Sequence, residues 1–376
     1  MDQRITRNIG TRIPVARIAW TIVLAMLAIA TVSAGQLLGK HYHKAELIPN
    51  YSVLKKVVLG GDGGWDYLIC DSAARRIYIS RGTHVMVVDA DTFAVVGDIP
   101  GTEGVHGIAL APEFGRGFTS NGRSNSVTIF DLKTLKILGT APTGNGPDAI
   151  IYDPASKHVF TFNGHGGDAT AIDAASGKPV GTVTLGGQPE FAVADGQGRI
   201  YNNLEDKSEL VQIDSQKLTV TARWPLAPCE EPSGLAMDTE HRRLFAGCHN
   251  QMMAVINADS GKVLATPRIG QGVDANAFDA GIQFAFSSNG DGTLTIVRED
   301  SPEKFSPYAN VATRRGARTM ALDLKTHHVF LVTAEFGPPP APTPEHPHSR
   351  PQAIPGTFTL LVVRDTGWPA GKSGGQ

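Results

Sequence analysis

The 376 residues contain no Gly-x-Ser-x-Gly elbow, no His-Glu-x-x-His pair, no Walker loop and no dinucleotide fingerprint. Nucleophilic, zinc-protease and nucleotide chemistries of the motif-bearing kinds therefore have no foothold here. Cysteine is scarce: Cys70, Cys229 and Cys248 are the only three, and none stands in a Cys-x-x-Cys-His haem signature. Gly60-Gly61-Asp62-Gly63-Gly64 is glycine-rich but precedes a strand pattern, so no helix N-terminus stands behind it to hold a phosphate. Beyond residue 34 there is no Lys/Arg tract. The whole chain is at −2, and residues 1–34 carry four Arg against one Asp, so about −5 remains on the rest. A general nucleic-acid groove is disfavoured, because phosphate binding needs a positive face.

Long apolar runs are also rare. The run from Ile18 to Ala34 comes after Arg4, Arg7, Arg12 and Arg17 and ends in Val32-Ser33-Ala34 before Gly35. That is the pattern of a secretory signal with a small-residue cleavage site, and equally of a short uncleaved anchor. Both readings leave the basic end in the cytoplasm and export the rest of the chain to the periplasm or exterior. Residues 1–34 are thus expected to be a signal peptide or membrane anchor, and 35–50 a linker. The N-terminal segment is the only expected membrane contact.

What the chain does have is a repeat. Seven units, opening at Tyr67, Gly107, Ala149, Phe191, Gly234, Ala275 and Thr319, succeed one another at 40 to 44 residues. Each spells a strand of small residues (HGIALAP, SGLAMD), a turn, an aromatic and β-branched strand (RRIYISR, RGFTSN), and an alternating third strand ending in Asp. A fourth strand completes the unit. Four short strands at this period predict an all-β fold, a seven-bladed β-propeller over 51–366, with 367–376 as a tail. The recurring Asp89, Asp131, Asp173 and Asp214, with Asn257, are expected to bond their own turns. The seventh unit lacks a fourth strand, and Ser52 to Gly61 reads like one, so the N-terminal strand is expected to pair with Phe358 to Val363 and close the ring.

The second-strand endings Y-I-S-R, F-T-S-N, F-T-F-N and F-S-S-N resemble those of the YVTN-type, or YncE-like, propellers, over roughly Ser52 to Asp365. That resemblance implies the fold and leaves function open, since members bind, scaffold or have no assigned role. Lactonases and quinoprotein amine dehydrogenases share the architecture.

Within this fold, the residue before each inner strand faces the mouth of the central channel. A purely structural position would repeat one residue type. These positions instead hold Asp66, His106, Asp148, Glu190, Ser233, Asp274 and Arg318, with Glu230 and Glu231 behind them. Crowded carboxylates should have raised pKa values unless a cation compensates. The ring, with Glu231, reads as a ligand-binding site, a site for a divalent cation, or a solvated polar rim. Loops on the same face add Arg81 with His84, Asn121 with Arg123, Asn163 with His165, Glu205 with Asp206, His249, and Asn289 with Asp291. The Asn-Gly pairs among them suggest hairpin turns. Cys229 and Cys248 fall on that face as well, as a disulfide in an oxidising compartment or, with His249, as metal ligands. Cys70 reads as a small core residue.

Residues 337–356 insert about 20 residues, eight of them Pro, with His346 and His348. A stiff polyproline segment could be a lid, a protein-docking arm or an idle insertion. The functional expectation is an exported binding or scaffold protein for a small ligand or partner protein, acting through the mouth. The alternatives are a metal-assisted hydrolase of lactonase type, using mouth carboxylates, and a quinoprotein-type redox protein.

Overall fold

A computed structural model describes residues 50–61, 63–340 and 351–367. The expected signal or anchor, most of the linker, the centre of the Pro-rich insertion with His346 and His348, and the end of the tail lie outside the described residues. No helix among the described residues is long and apolar enough to cross a membrane.

Seven antiparallel four-stranded sheets make seven blades. Their inner strands are Leu68–Asp71, Val105–Ala111, Pro147–Asp153, Pro189–Ala194, Pro232–Asp238, Val273–Asp279 and Met320–Asp323. Small residues dominate them because the blades converge. At Gly107 a Cβ would come within 2.8 Å of Ile150 Cγ2, and at Gly234 within 2.6 Å of the Asn276 backbone. Blade 7 comprises Met320–Asp323, His328–Thr333, Thr359–Asp365 and, from the other end of the described chain, Tyr51–Val58. Tyr51 stands opposite Asp365 and Val58 opposite Thr359. Tyr51 is buried and meets Phe284, Phe286 and Tyr308 edge to face at 5.9–6.3 Å.

The core is divided among the blades. Seven apolar clusters sit one at each blade–blade contact, including one between blade 7 and blade 1 built on Leu68, Ile77, Ile79, Phe330, Val332 and Leu360. Burying such side chains is the main stabilising term, at about 25 cal/mol for each Å² of apolar surface. The strand-terminal Asp residues take the turn role: Asp131 Oδ1 accepts the N–H groups of Lys133 (3.1 Å) and Thr134 (2.7 Å), and Asp89 and Asn257 repeat the arrangement.

Two loop expectations need correction. The Asn-Gly pairs are not two-residue hairpin turns, because the left-handed residues are Asn125, Gly167 and Gly292 instead. Asn121, Asn163 and Asn289 are buried, and their amides bond Thr128, Thr170 and Thr295 at 2.9–3.0 Å, locking the second strand to the third. Arg81 is no mouth residue: it is 1% exposed, with its guanidinium 3.6 Å from the ring centre of Phe358.

Candidate functional site

The mouth residues owe their aim to a recurring irregularity. In blades 2 to 6 the pairing of inner and second strands slips at the mouth, between Val105 and Ile108, Pro147 and Ile150, Pro189 and Ala192, Pro232 and Leu235, and Val273 and Ala275. His106, Asp148, Glu190, Ser233 and Asp274 sit at those slips. A bulge re-aims side chains, but it leaves backbone groups without ladder partners. Second-strand side chains supply them. Ser120 Oγ accepts the Gly107 N–H at 2.9 Å and donates to the Asp148 carbonyl of the next blade. Asn203 donates to the Ser233 carbonyl at 2.8 Å, and Ser288 to that of Arg318. Thr319 Oγ1 reaches the Asp66 carbonyl at 2.8 Å. Ser120, Asn203 and Ser288, near the ends of their second strands, thus also position the mouth.

The ring residues are all half-buried except Ser233, which is buried. His106 Nδ1 lies 2.6 Å from Asp66 Oδ2 and 3.5 Å from Asp148 Oδ1. On the other side of Asp66, Arg318 Nη2 is 3.9 Å from Oδ1, while its Nε is 3.2 Å from Asp274 Oδ2. Each built-in cation is therefore shared between two carboxylates. Ser233 Oγ completes this arc at 3.4 Å from Asp274. Glu190 has no cation of its own among the described residues and faces the Tyr67 hydroxyl at 3.5 Å.

That asymmetry shows in the proton affinities. Burial, then repulsion from Asp148 and the other acids, pushes Glu190 up to about 9. Burial also raises Asp148, to about 6, against the pull of His106. Asp274 is raised by burial while Arg318 draws it back. The hydrogen bond to Asp66 holds His106 above the ordinary histidine value. Burial and crowding thus favour the protonated form of Glu190 most strongly. Asp148 Oδ1 accepts no hydrogen bond among the described residues.

Two residues that the sequence did not single out plug the channel below the ring. Tyr67 and Phe191, from blades 1 and 4, meet edge to face with centroids 4.7 Å apart. Both line a cavity of about 230 Å³ walled by inner-strand residues, Cys70 among them. Cys70 is half-buried and packs against the core cluster between blades 7 and 1, and burial pushes its thiol up to about 12, so it stays protonated. Beside the mouth, Trp65, Phe336, Pro351, Ala353, Arg315 and Arg318 border a recess of about 530 Å³. The described ends of the Pro-rich insertion form part of that wall, where Gly337 N–H donates to Gln352 at 2.9 Å.

Glu231 is not brought to the ring. It is exposed and left-handed, and its Oε2 lies 3.3 Å from His249 Nδ1, which also faces Glu205 at 3.6 Å. Cys229 and Cys248 are joined by a disulfide, with Cα atoms 5.5 Å apart, so their sulfurs do not serve as metal ligands with His249. The groups at the mouth that could hold a divalent ion are Asp66, His106 and Asp148, whose ligand atoms lie within 4.8 Å of one another.

No protein-family model matches the chain, and no curated protein matches it in sequence. Solved structures do match. The hydrazine synthase of Kuenenia stuttgartiensis aligns at TM-score 0.62 and 15% identity, over 73% of this chain and 94% of that one. A chain of the mitotic checkpoint complex aligns at 0.67 and 13%, over 84% and 92%. The RRP9 WD40 repeats align at 0.68 and 9%, over 84% and 99%. At such identities the likeness establishes the fold alone, a seven-bladed propeller.

Proposed function

We propose that this is an exported propeller of the YVTN type that binds a small ligand carrying an ammonium or guanidinium group at the top-face mouth. The observation that carries the reading is the charge arrangement of one ring. Four carboxyl groups face two cations, and each cation is already shared between two acids. Glu190, and Asp148, whose contact with His106 is the longer of that cation's two at 3.5 Å, are left for a third. A donor with several N–H groups satisfies both, and a carboxylate in that half-buried setting strengthens the contact. The plugged channel gives the ligand a floor, and the recess beside Trp65 and Phe336 suits an apolar body. Export is supported by the basic and apolar pattern of residues 1–34 and by the disulfide, which persists in oxidising compartments. The Tyr51–Val58 strand, paired in blade 7, is taken to hold the ring closed.

A second reading rests on a different observation, the Asp66–His106–Asp148 grouping. A divalent ion there could activate water for hydrolysis, as in a lactonase. Calorimetric titration with amines and guanidines, each matched to a carboxylate of similar size, tests the first reading. Amines should bind and carboxylates should not. Asp148→Asn should weaken amine binding roughly 10- to 100-fold, the equivalent of about 1.5–3 kcal/mol for a charged hydrogen bond. Carboxylate binding that depends on Arg318 would overturn it. Metal-dependent ester hydrolysis lost in His106→Ala would favour the second reading.

A further inference from the structure

On the opposite face of the propeller three of the seven blades share an ion-pair device, and blade 5 has its acid without the partner. At the far ends of the inner strands of blades 4, 6 and 7, Asp195, Asp279 and Asp323 each pair with a basic side chain on the left-handed turn residue of the next blade. The partners are Arg242 (3.2 Å), His327 (2.7 Å) and Arg75 (2.7 Å). In blade 5 the strand ends in Asp238, but the next left-handed turn residue is Gln283, whose amide donates to Ala280 instead. The basic partner found for blades 4, 6 and 7 is missing.

A second departure meets the first. In blades 1 to 5 the residue after the third strand gives its N–H to the carbonyl of that blade's left-handed turn residue. In blades 1, 3, 4 and 5 this residue is Ala90, Ala174, Ser215 and Ala258, all buried, and in blade 2 it is the half-buried Leu132. In blade 6 the same bond, Glu299 N–H to Gln283, puts a glutamate in the small residue's place. Its side chain is 1% exposed, and neither carboxylate oxygen has a directed hydrogen-bond partner among the described residues. His241 Nδ1, 31% exposed, stands 3.1 Å from Glu299 Oε1 and 2.6 Å from Asp238 Oδ2. The nearby cation, Arg243, is occupied by the Pro302 carbonyl (2.6 Å) and Glu303 (2.8 Å).

A buried carboxylate without a partner is costly, and here two converge on one imidazole. We infer that Asp238, His241 and Glu299 form a binding site for a divalent transition-metal ion between blades 5 and 6, on the face away from the mouth. One imidazole and two carboxylates suit Zn²⁺, Mn²⁺ or Co²⁺. Ligand atoms on such an ion at tetrahedral angles lie about 3.3 Å apart, so the present spacing needs only a small expansion. The exposed side of His241 leaves an approach for the ion and room for water to complete its shell.

Co²⁺ is the probe of choice, since its visible absorption reports coordination. Protein stripped with a chelator should bind Co²⁺ with a tetrahedral or five-coordinate spectrum and melt at higher temperature when loaded. Glu299→Gln should lose that equivalent and its spectrum, whereas His106→Ala, at the mouth, should retain both. Glu299→Ala restores the residue type of other blades, so it should fold, melt above the metal-free parent and ignore Co²⁺. The inference fails if Co²⁺ leaves the parent's spectrum and melting unchanged. It fails equally if Glu299→Gln binds as the parent does, or if Glu299→Ala melts below the metal-free parent.

Discussion

Glu190 is where the mouth's electrostatics become measurable. The folded protein keeps on this carboxyl a proton that the unfolded chain releases near the ordinary glutamate value. The stability that goes with the protonated form is fully present below that value and drains away as pH rises toward about 9. His106, also raised, acts in the same direction: its contribution is full in mild acid and is lost as pH climbs through its folded value. The protein should therefore unfold less readily at pH 6 than at pH 8.5. Glu190→Gln mimics the protonated acid and should flatten that difference, raising the melting temperature at pH 8.5 by a few degrees. Melting curves of both proteins across this range check it, and parallel pH profiles would show that Glu190 carries no raised proton affinity. The ring's membership was legible in the sequence because equivalent positions held unlike polar residues. Its pairing was not, since which acid shares His106 depends on side-chain reach across blades. The Tyr67–Phe191 plug joins blades 1 and 4 across the channel, a contact that no sequence spacing encodes.

At the level of the strand, the mouth depends on the clips behind it. Removing the Ser120 hydroxyl strands the Gly107 N–H and the Asp148 carbonyl where water has little access. Ser120→Ala should therefore cost about 1–3 kcal/mol in denaturant unfolding. It should also loosen Asp148 and weaken mouth binding, whereas Ser124→Ala on the exposed loop should stay within about 0.5 kcal/mol. Equal stability for the two variants would reduce the clip to decoration. The strands themselves were readable from their alternation and period, and the turn Asp residues from their recurrence. The Asn-Gly pairs misled because the buried amides of Asn121, Asn163 and Asn289 serve the ladder, while the left-handed position falls later in each loop. Glu299 did leave a trace in the sequence, since unit six reads Arg298-Glu299 where units one to five read Asp or Asn followed by a small or apolar residue. Its significance needed the register to show that the side chain is buried.

For the molecule as a whole, the two ends of the described chain meet in one sheet. Tyr51 alone fills a pocket among three aromatic rings, and truncating such a residue costs about 3 kcal/mol or more. Deleting residues 50–58 removes that side chain and the whole pairing with Thr359–Asp365. The variant should melt well below the parent and with a broader transition. An unchanged melt would mean that blade packing alone, including the cluster between blades 7 and 1, holds the ring. The central claim is that the mouth is built for a cation, and proton linkage tests it most directly. A cation beside Glu190 favours its ionised form, so binding at neutral pH should release a proton and affinity should climb with pH until about 9. The measurement is calorimetric titration of the tightest-binding amine at pH 7 in two buffers of different ionisation enthalpy. The account predicts heats that differ by close to one proton's worth of buffer ionisation, a difference abolished in Glu190→Gln. Identical heats in the two buffers, or proton uptake on binding, would contradict it.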